Sequence, residues 1–253
     1  MQKYGQHFLI SESVIAQIVD AALLLRAENL VEIGPGKGAL SQALIMRGEK
    51  DFYAVEIDPE MVQALGRSLP KTAGIRIVQQ NFLDFDLSVL PQVPTEFVSN
   101  LPYIDAAEIL NKVLAWPYFR AAVFMFQKEQ AQKIMARPGD NLYGPLSILS
   151  QLRARINLVC NVGRGCFNPP PKVESRVLAF ERLPAPNTQW NKLQKLVENS
   201  FLHRRKTLLN ALGLAGYPKE KIGMALQAFH LPQTIRPEQV PPGVYVELSN
   251  RLN

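Results

Sequence analysis

Apolar residues recur in two alternating rhythms along most of this chain. Residues 12–25, "ESVIAQIVDAALLL", set Val14, Ile15, Ile18, Val19 and Ala22 on one helical face, with Ser11 in front as a capping residue. "NLVEIG" (Asn29–Gly34) is a short apolar run of the kind a buried strand needs. "GALSQALIMRG" returns to helical spacing and is expected to end near Gly48. Strand-like runs follow at "DFYAVEID" (Asp51–Asp58), "GIRIVQQ", "TEFVS" and "RAAVFMFQ" (Arg120–Gln127). "PEMVQALGRSL", the run after Asp105 and "KEQAQKIMA" read as helices among them, and Pro59 suits a first helical turn. Strands alternating with helices predict an α/β fold, a parallel sheet covered on both faces. "RINLVCNV" and "SRVLAFERL" lie close in sequence and should close one sheet edge in antiparallel fashion.

"ERLPAPNTQ" (Glu181–Gln189) has two prolines, polar neighbours and no periodicity, and reads as a linker. Beyond it the strand signal fades, and "WNKLQKLVENSFLHRRKTLLNALGLAG" and "PKEKIGMALQAFH" have helical spacing. The expected division is therefore an α/β domain over residues 1–183 and a small all-helical domain over 184–253.

Composition narrows the class. The chain has 253 residues, 47% hydrophobic, which suffices for a globular core. No stretch approaches the roughly 20 unbroken apolar residues of a membrane span. "MQKYGQHFLISES" lacks the long apolar core of a signal peptide. Cys160 and Cys166 are too few for a disulfide framework or a zinc site, and read as reduced thiols of a cytoplasmic protein. The net charge is +6. From Asn187 onward nine basic residues face four acidic ones, so nearly the whole excess sits in the last quarter. That asymmetry suits a phosphate-facing surface, or simply a solvated basic one.

"VEIGPGKGALS" (Val31–Ser41) runs a strand into Gly34, Gly36 and Gly38 and then starts a helix. Glycines allow a sharp turn and close ligand approach, at the strand ends where open α/β sheets bind ligands. Gly34-x-Gly36-x-x-Ala39 formally fits a dinucleotide fingerprint. Glu32 tilts the choice elsewhere: a carboxylate there repels a pyrophosphate but suits a ligand with an ammonium group, as S-adenosylmethionine has. Glu56, ending the second strand, can accept both ribose hydroxyls. Asn81, after the third, lies at the height of an adenine ring, where its amide can accept from the ring amine and donate to a ring nitrogen. Asp84 and Asp86 read as caps or solvated loop residues. The plainer alternatives are loop acids and an ordinary strand-to-helix turn.

"EFVSNLPYIDAAE" (Glu96–Glu108) packs an Asn, a Pro and an aromatic ring into a strand end. An adenine N6 amine is a poor nucleophile because its lone pair is delocalised. The Asn100 side-chain oxygen and the Leu101 carbonyl can accept its two protons, Pro102 stiffens the turn, and Tyr103 can stack on the base. "CFNPPPKVES" (Cys166–Ser175) is a stiff segment that could hold Phe167 over the opposite face of a flipped-out base. The alternative is a turn with a core Tyr and a loop with a core Phe. His7, His203 and His230 are scattered without metal spacing, and no G-x-S-x-G elbow or Walker loop occurs.

Taken together, "YGQHFL" (Tyr4–Leu9), "VEIGPGKGALS", "VEID" (Val55–Asp58), "SNLPY", "FMFQKEQA" (Phe124–Ala131), "LYGPLSI" (Leu142–Ile148), "FNPPPKVES" and "SFLHRRKTLLNAL" (Ser200–Leu212) resemble the small-subunit ribosomal RNA adenine dimethyltransferases. The stretches occur in family order over nearly the whole chain. The resemblance implies a Rossmann-like class I S-adenosylmethionine-dependent methyltransferase domain with a small helical C-terminal domain. It implies dimethylation, at N6, of two adjacent adenosines near the 3′ end of 16S-type rRNA in the small ribosomal subunit. The implied cofactor contacts are His7, Leu9, Gly34, Glu56, Asn81 and Asn100, which join Glu32 and Gly36 of the glycine-loop reading as the candidate cofactor site. Asn100, Leu101, Tyr103 and Phe167 would hold the target base, and Arg204, Arg205 and Lys206 would meet RNA, while Phe201, Leu208 and Leu212 pack inward. No metal or membrane is implied, and nothing demands more than a monomer.

Two departures stand out. Members usually carry Asp where this chain has Asn81, and "NLPYNIS" where it has "NLPYIDA". His7 for the commoner Asn is a milder change. The rival readings are the related enzyme that methylates a large-subunit adenine, an NAD-dependent oxidoreductase, and a non-catalytic assembly factor. Leu101 with the "RRKT" run, Glu32, and the retained Glu56, Asn100 and Tyr103 weigh against these in turn.

Overall fold

A computed structural model describes residues 7–25, 27–47, 51–203 and 205–252 of the chain. In chain order the elements are β1 (Phe8–Leu9), α1 (Glu12–Leu25), β2 (Asn29–Ile33), α2 (Ala39–Met46), β3 (Phe52–Glu56), α3 (Pro59–Ser68) and β4 (Ile75–Gln79). Next come β5 (Thr95–Asn100), α4 (Ala106–Ala115), β6 (Phe119–Gln127), α5 (Lys128–Met135), α6 (Pro145–Arg153), β7 (Ala154–Val162), β8 (Phe167–Asn168) and β9 (Ser175–Arg182). The helices α7 (Trp190–Phe201), α8 (Leu208–Leu214), α9 (Lys219–Ala228) and α10 (Pro242–Leu252) complete the order.

Two compact units emerge, one of residues 1–131 and 155–182, the other of residues 132–154 and 183–253. The break at 182/183 falls beside the expected one, but residues 132–154 depart from the expected division of 1–183 and 184–253. The reason is apolar packing: Tyr143, Ile148 and Leu149 are buried in one cluster with Leu193, Leu196, Val197, Leu226 and Tyr245. The Tyr143 hydroxyl donates to the Val240 carbonyl at 2.9 Å, and Gln151 donates to the carbonyls of Ile134 and Ala136. In this second unit Leu208 and Leu212 are fully buried and Phe201 packs partly against the cluster, as expected.

The first unit is built on a seven-stranded sheet of order β4-β3-β2-β5-β6-β9-β7. β4, β3, β2, β5 and β6 are mutually parallel, and β9 runs antiparallel to β6. Alternation along the strands sorts two faces. Val98, Val123, Met125 and Val177 join the cluster of α1 and α2, which includes Ile18, Val19, Ala22, Leu40 and Leu44. Phe97, Phe124, Phe126 and Phe180 are equally buried but stand one residue out of step, on the other face. There Phe97 meets Trp116 edge-on at 5.8 Å, and Phe124, Phe126 and Phe180 pack as a triad. A separate two-stranded ribbon pairs β1 with β8, Leu9 opposite Phe167.

Parallel pairing has one consequence for function. Gly34, Glu56, Asn81 and Asn100 all follow or close the carboxyl ends of β2, β3, β4 and β5, so they line one edge of the sheet in the order Asn81, Glu56, Gly34, Asn100. Because β9 is antiparallel and pairs Ser175 with Gln127, the start of β9 reaches that same edge.

Candidate active site

The glycine loop is held in a shape only glycine allows. Gly34, Gly36 and Gly38 have φ of 63°, 56° and 81°. A Cβ on Gly36 would lie 3.1 Å from the Phe8 ring, and one on Gly38 would lie 2.8 Å from Leu65. A Cβ on Gly34 would meet nothing within 4 Å, so the backbone there is open to close approach.

Glu56 fastens this loop to the next. One carboxylate oxygen accepts the Gly36 N–H and the other the Asp58 N–H, each at 2.9 Å. Each oxygen keeps a second lone pair for a hydroxyl. Asp58 in turn caps α3 by accepting the Glu60 N–H, with Pro59 in the first turn. Glu32 is only 2% exposed and accepts a hydrogen bond from the Ser41 hydroxyl. Burial pushes its carboxyl up to about 8; the Ser41 bond opposes this and the charge of Glu56 adds to it. The reading of Glu32 and Glu56 as surface loop acids is thereby overturned, since both are buried.

Asn81 opens a tight turn in which its side-chain oxygen accepts the Leu83 N–H at 3.0 Å and its carbonyl accepts the Asp84 and Phe85 N–H groups. The amide NH2 takes no part in that turn. Asp86 caps a short helical turn through Ser88, as expected.

A residue that the sequence reading missed holds this loop. Lys112, on α4, donates to the carbonyls of Phe82, Leu83 and Phe85 at 2.9, 2.7 and 2.6 Å. Its ammonium also lies 5.4 Å from the centre of the Phe82 ring. Desolvation lowers its pKa, opposed by the charges of Asp84 and Asp86. Lys112 therefore links the Asn81 loop to the helix that follows the Asn100 turn.

At that turn Asn100 donates its side-chain N–H to the His7 carbonyl at 3.0 Å. His7 donates from Nδ1 to the Pro169 carbonyl at 2.8 Å. The hydroxyls of Tyr103 and Ser175 lie 3.2 Å apart, and the rings of His7 and Tyr103 are 6.0 Å apart at 31°. Leu101 is buried and its N–H bonds the Met125 carbonyl. Leu9 is buried in β1. Phe167 departs from expectation. It is 3% exposed and packs in the cluster with Leu9, Val162 and Val177, so its ring does not stand free opposite Tyr103. Burying so large an apolar ring is favourable, and stacking on a base requires it to leave that packing. Ile104, beside Tyr103, is 95% exposed.

Arg205 and Lys206 are exposed in the helical unit, just before Thr207 caps α8. Arg204 and Gly48, like Tyr4 to Gln6 of the "YGQHFL" stretch, lie outside the described residues. Among the described residues no three His, Cys, Asp or Glu side chains form a metal-holding group, and no helix is long and apolar enough to cross a membrane.

The family described as "Ribosomal RNA adenine dimethylase" matches residues 1–251. A Synechococcus sp. (strain CC9605) protein named ribosomal RNA small subunit methyltransferase A is 35% identical, over 100% of this chain and 96% of its own. A Pseudomonas putida protein of the same name is 34% identical over 99% of this chain and 94% of its own. Among solved structures, a Plasmodium falciparum dimethyladenosine transferase superposes with a TM-score of 0.81 at 24% identity, covering 96% of each chain. The 23S rRNA methyltransferase ErmE superposes at 0.74 with 27% identity, covering 97% of this chain and 99% of its own.

Two consequences can be measured. Lys112→Met should raise the KM for the methyl donor severalfold (on the order of 5) with kcat within about twofold, the signature of lost uniform binding. Unchanged affinity for S-adenosylhomocysteine by calorimetry would remove Lys112 from this role. Glu32 has a raised pKa, so below about pH 8 a ligand ammonium must first expel its proton. Affinity for S-adenosylhomocysteine should therefore climb from about pH 6.5 to about 8, by at most about tenfold per unit, and Glu32→Gln should flatten the slope. A wild-type profile that is already flat would contradict the assignment.

Proposed function

The chain belongs to the ribosomal RNA adenine dimethylase family, and we propose that it methylates N6 of two adjacent adenosines near the 3′ end of 16S-type rRNA, giving N6,N6-dimethyladenosine. The observation that carries this reading is the Asn100 turn. Its amide is oriented by the His7 carbonyl, Tyr103 follows it, and both stand on the sheet edge that bears Gly34 and Glu56.

The residues present fit S-adenosylmethionine. Two buried carboxylates, Glu32 and Glu56, suit an ammonium and a ribose diol, and Gly34 leaves room for close approach. When bound, S-adenosylmethionine supplies an electrophilic methyl group on a sulfonium. Glu56 holds the loop while keeping lone pairs for the ribose, and Asn81 offers its NH2 to the adenine ring. Relative to the family's usual Asp, Asn81 loses a charge and gains this donor, while its side-chain oxygen can still accept.

On the substrate side, the Asn100 N–H spent on His7 leaves its oxygen as an acceptor. That oxygen and the Leu101 carbonyl accept the N6 protons, which localises the nitrogen lone pair away from the base. Positive charge then develops on N6 and is favoured by the Tyr103 face, whose phenol is tied to Ser175. The methylated ammonium is acidic and loses its proton to water afterwards, so no general base is required during transfer.

Arg205 and Lys206, with Arg204, supply phosphate contacts in the helical unit. In this reading the enzyme acts on the small subunit during its biogenesis, as a cytoplasmic monomer.

The direct test offers methyl-labelled S-adenosylmethionine with undermethylated small subunits and, in parallel, large subunits, and identifies the nucleosides by mass. Dimethyladenosine in small-subunit RNA is expected. Label confined to large-subunit RNA, or RNA and cofactor binding without any transfer, would overturn the reading.

A further inference from the structure

A polar cavity lies at the carboxyl edge of the sheet, beside the Tyr103–Ser175 pair. It has a volume of about 360 Å³ and is lined by Lys128, Asn161, Val162, Gly163, Glu174, Ser175 and Arg176. It is formed where β6 ends, β9 begins and β7 ends. Its volume lies within the range of small-molecule sites.

Position gives it meaning. Ser175 is 1% exposed, lines the cavity, and shares a hydrogen bond with the Tyr103 hydroxyl. The cavity is thus separated from the Tyr103 ring by one side chain. Its charge is also unbalanced. Lys128 pairs with Glu174 at 2.7 Å, and Arg164 and Arg176 act on that same carboxylate; these three cations hold its pKa below the usual range. Arg176 binds the Asn161 side-chain oxygen through Nε alone, at 3.0 Å, which leaves the terminal guanidinium nitrogens for another acceptor. One carboxylate facing three cations leaves an excess of positive charge beside a pocket of nucleotide size.

We propose that this cavity binds the nucleotide adjoining the target adenosine, with its phosphodiester on Lys128 and Arg176. The proposal rests on the functional reading above. A base drawn out of its stack swings about its own backbone, so pinning the neighbouring phosphate holds the strand while the base turns toward Tyr103. Phosphate contacts position rather than specify, which suits a site that must serve each of two adjacent adenosines in turn.

The experiment is a cycle between protein and RNA charges. Small subunits are reconstituted with a neutral methylphosphonate at each linkage flanking the two adenosines, one at a time. Transfer is measured as kcat/KM for wild type, for Lys128→Met/Arg176→Gln, and for Lys128→Met alone. With unmodified RNA the double variant should lose about tenfold, chiefly in KM, the scale of one charge-assisted hydrogen bond. At one linkage directly flanking the target, wild type should lose about as much, and the double variant no more than about twofold further. Lys128→Met, which leaves the Arg176–Asn161 bond intact, should show the same pattern more weakly. S-adenosylhomocysteine affinity should stay within about twofold of wild type, which separates the effect from misfolding.

Losses that multiply at every linkage, or a double variant as active as wild type, would overturn the subsite and leave the functional reading standing. A wild type that makes no dimethyladenosine in unmodified subunits would overturn the functional reading, and the subsite with it.

Discussion

A carboxamide has one acceptor and one donor end, and whatever takes the donor decides where the acceptor points. In this protein the His7 carbonyl takes the Asn100 N–H at 3.0 Å. His7 is itself tied through Nδ1 to the Pro169 carbonyl, and Tyr103 is tied to Ser175. Three segments remote in sequence thus converge on one turn. The chemistry assigned to that turn needs two acceptors, not an acid or a base, so the orientation of one amide matters more than any pKa near it. The cavity beyond Ser175 and the loop held by Lys112 both extend from this turn and depend on its position.

The cofactor side is governed by a different constraint. Five parallel strands end together, so residues separated by up to two thirds of a hundred positions come to one edge without individual design. The loops at that edge still need fastening. Glu56 does this by accepting N–H groups from Gly36 and Asp58, and so spends part of its hydrogen-bonding capacity on structure. Glu32, walled in beside Ser41, resists ionisation. One carboxylate positions the backbone, while burial disfavours the charged form of the other.

Much of the fold was legible because β-strand alternation and helical spacing are local. The strands β2 to β7 and β9 and the helices α1 to α5 all announce themselves within a dozen residues. What was not legible depends on distant partners. Residues 132–154 join the second unit because Tyr143 and Leu149 meet Leu193 and Tyr245, which no local pattern reveals. The β1–β8 ribbon pairs residues on either side of most of the first unit. Lys112 carries no local signal of its role, and only the fold brings three loop carbonyls to it. The burial of Phe167 was not legible either: a rigid loop suggested an exposed ring, but a neighbouring apolar cluster, distant in sequence, packs around it. The glycine loop, Glu56, Asn81 and Asn100 come to one edge of the sheet as expected, because each is a strand end followed by a specific residue and parallel pairing aligns such ends.

If the Asn100 amide acts on the reacting nitrogen rather than merely holding the fold, losing it should slow transfer without weakening RNA binding. The most direct measurement is the single-turnover methyl-transfer rate of Asn100→Ala on small subunits, with RNA affinity determined on the same preparation. The expected rate is lower by about a hundredfold or more, the scale of a lost transition-state contact, with RNA affinity within about threefold of wild type. Equal losses in rate and RNA affinity would contradict it and return Asn100 to a structural role.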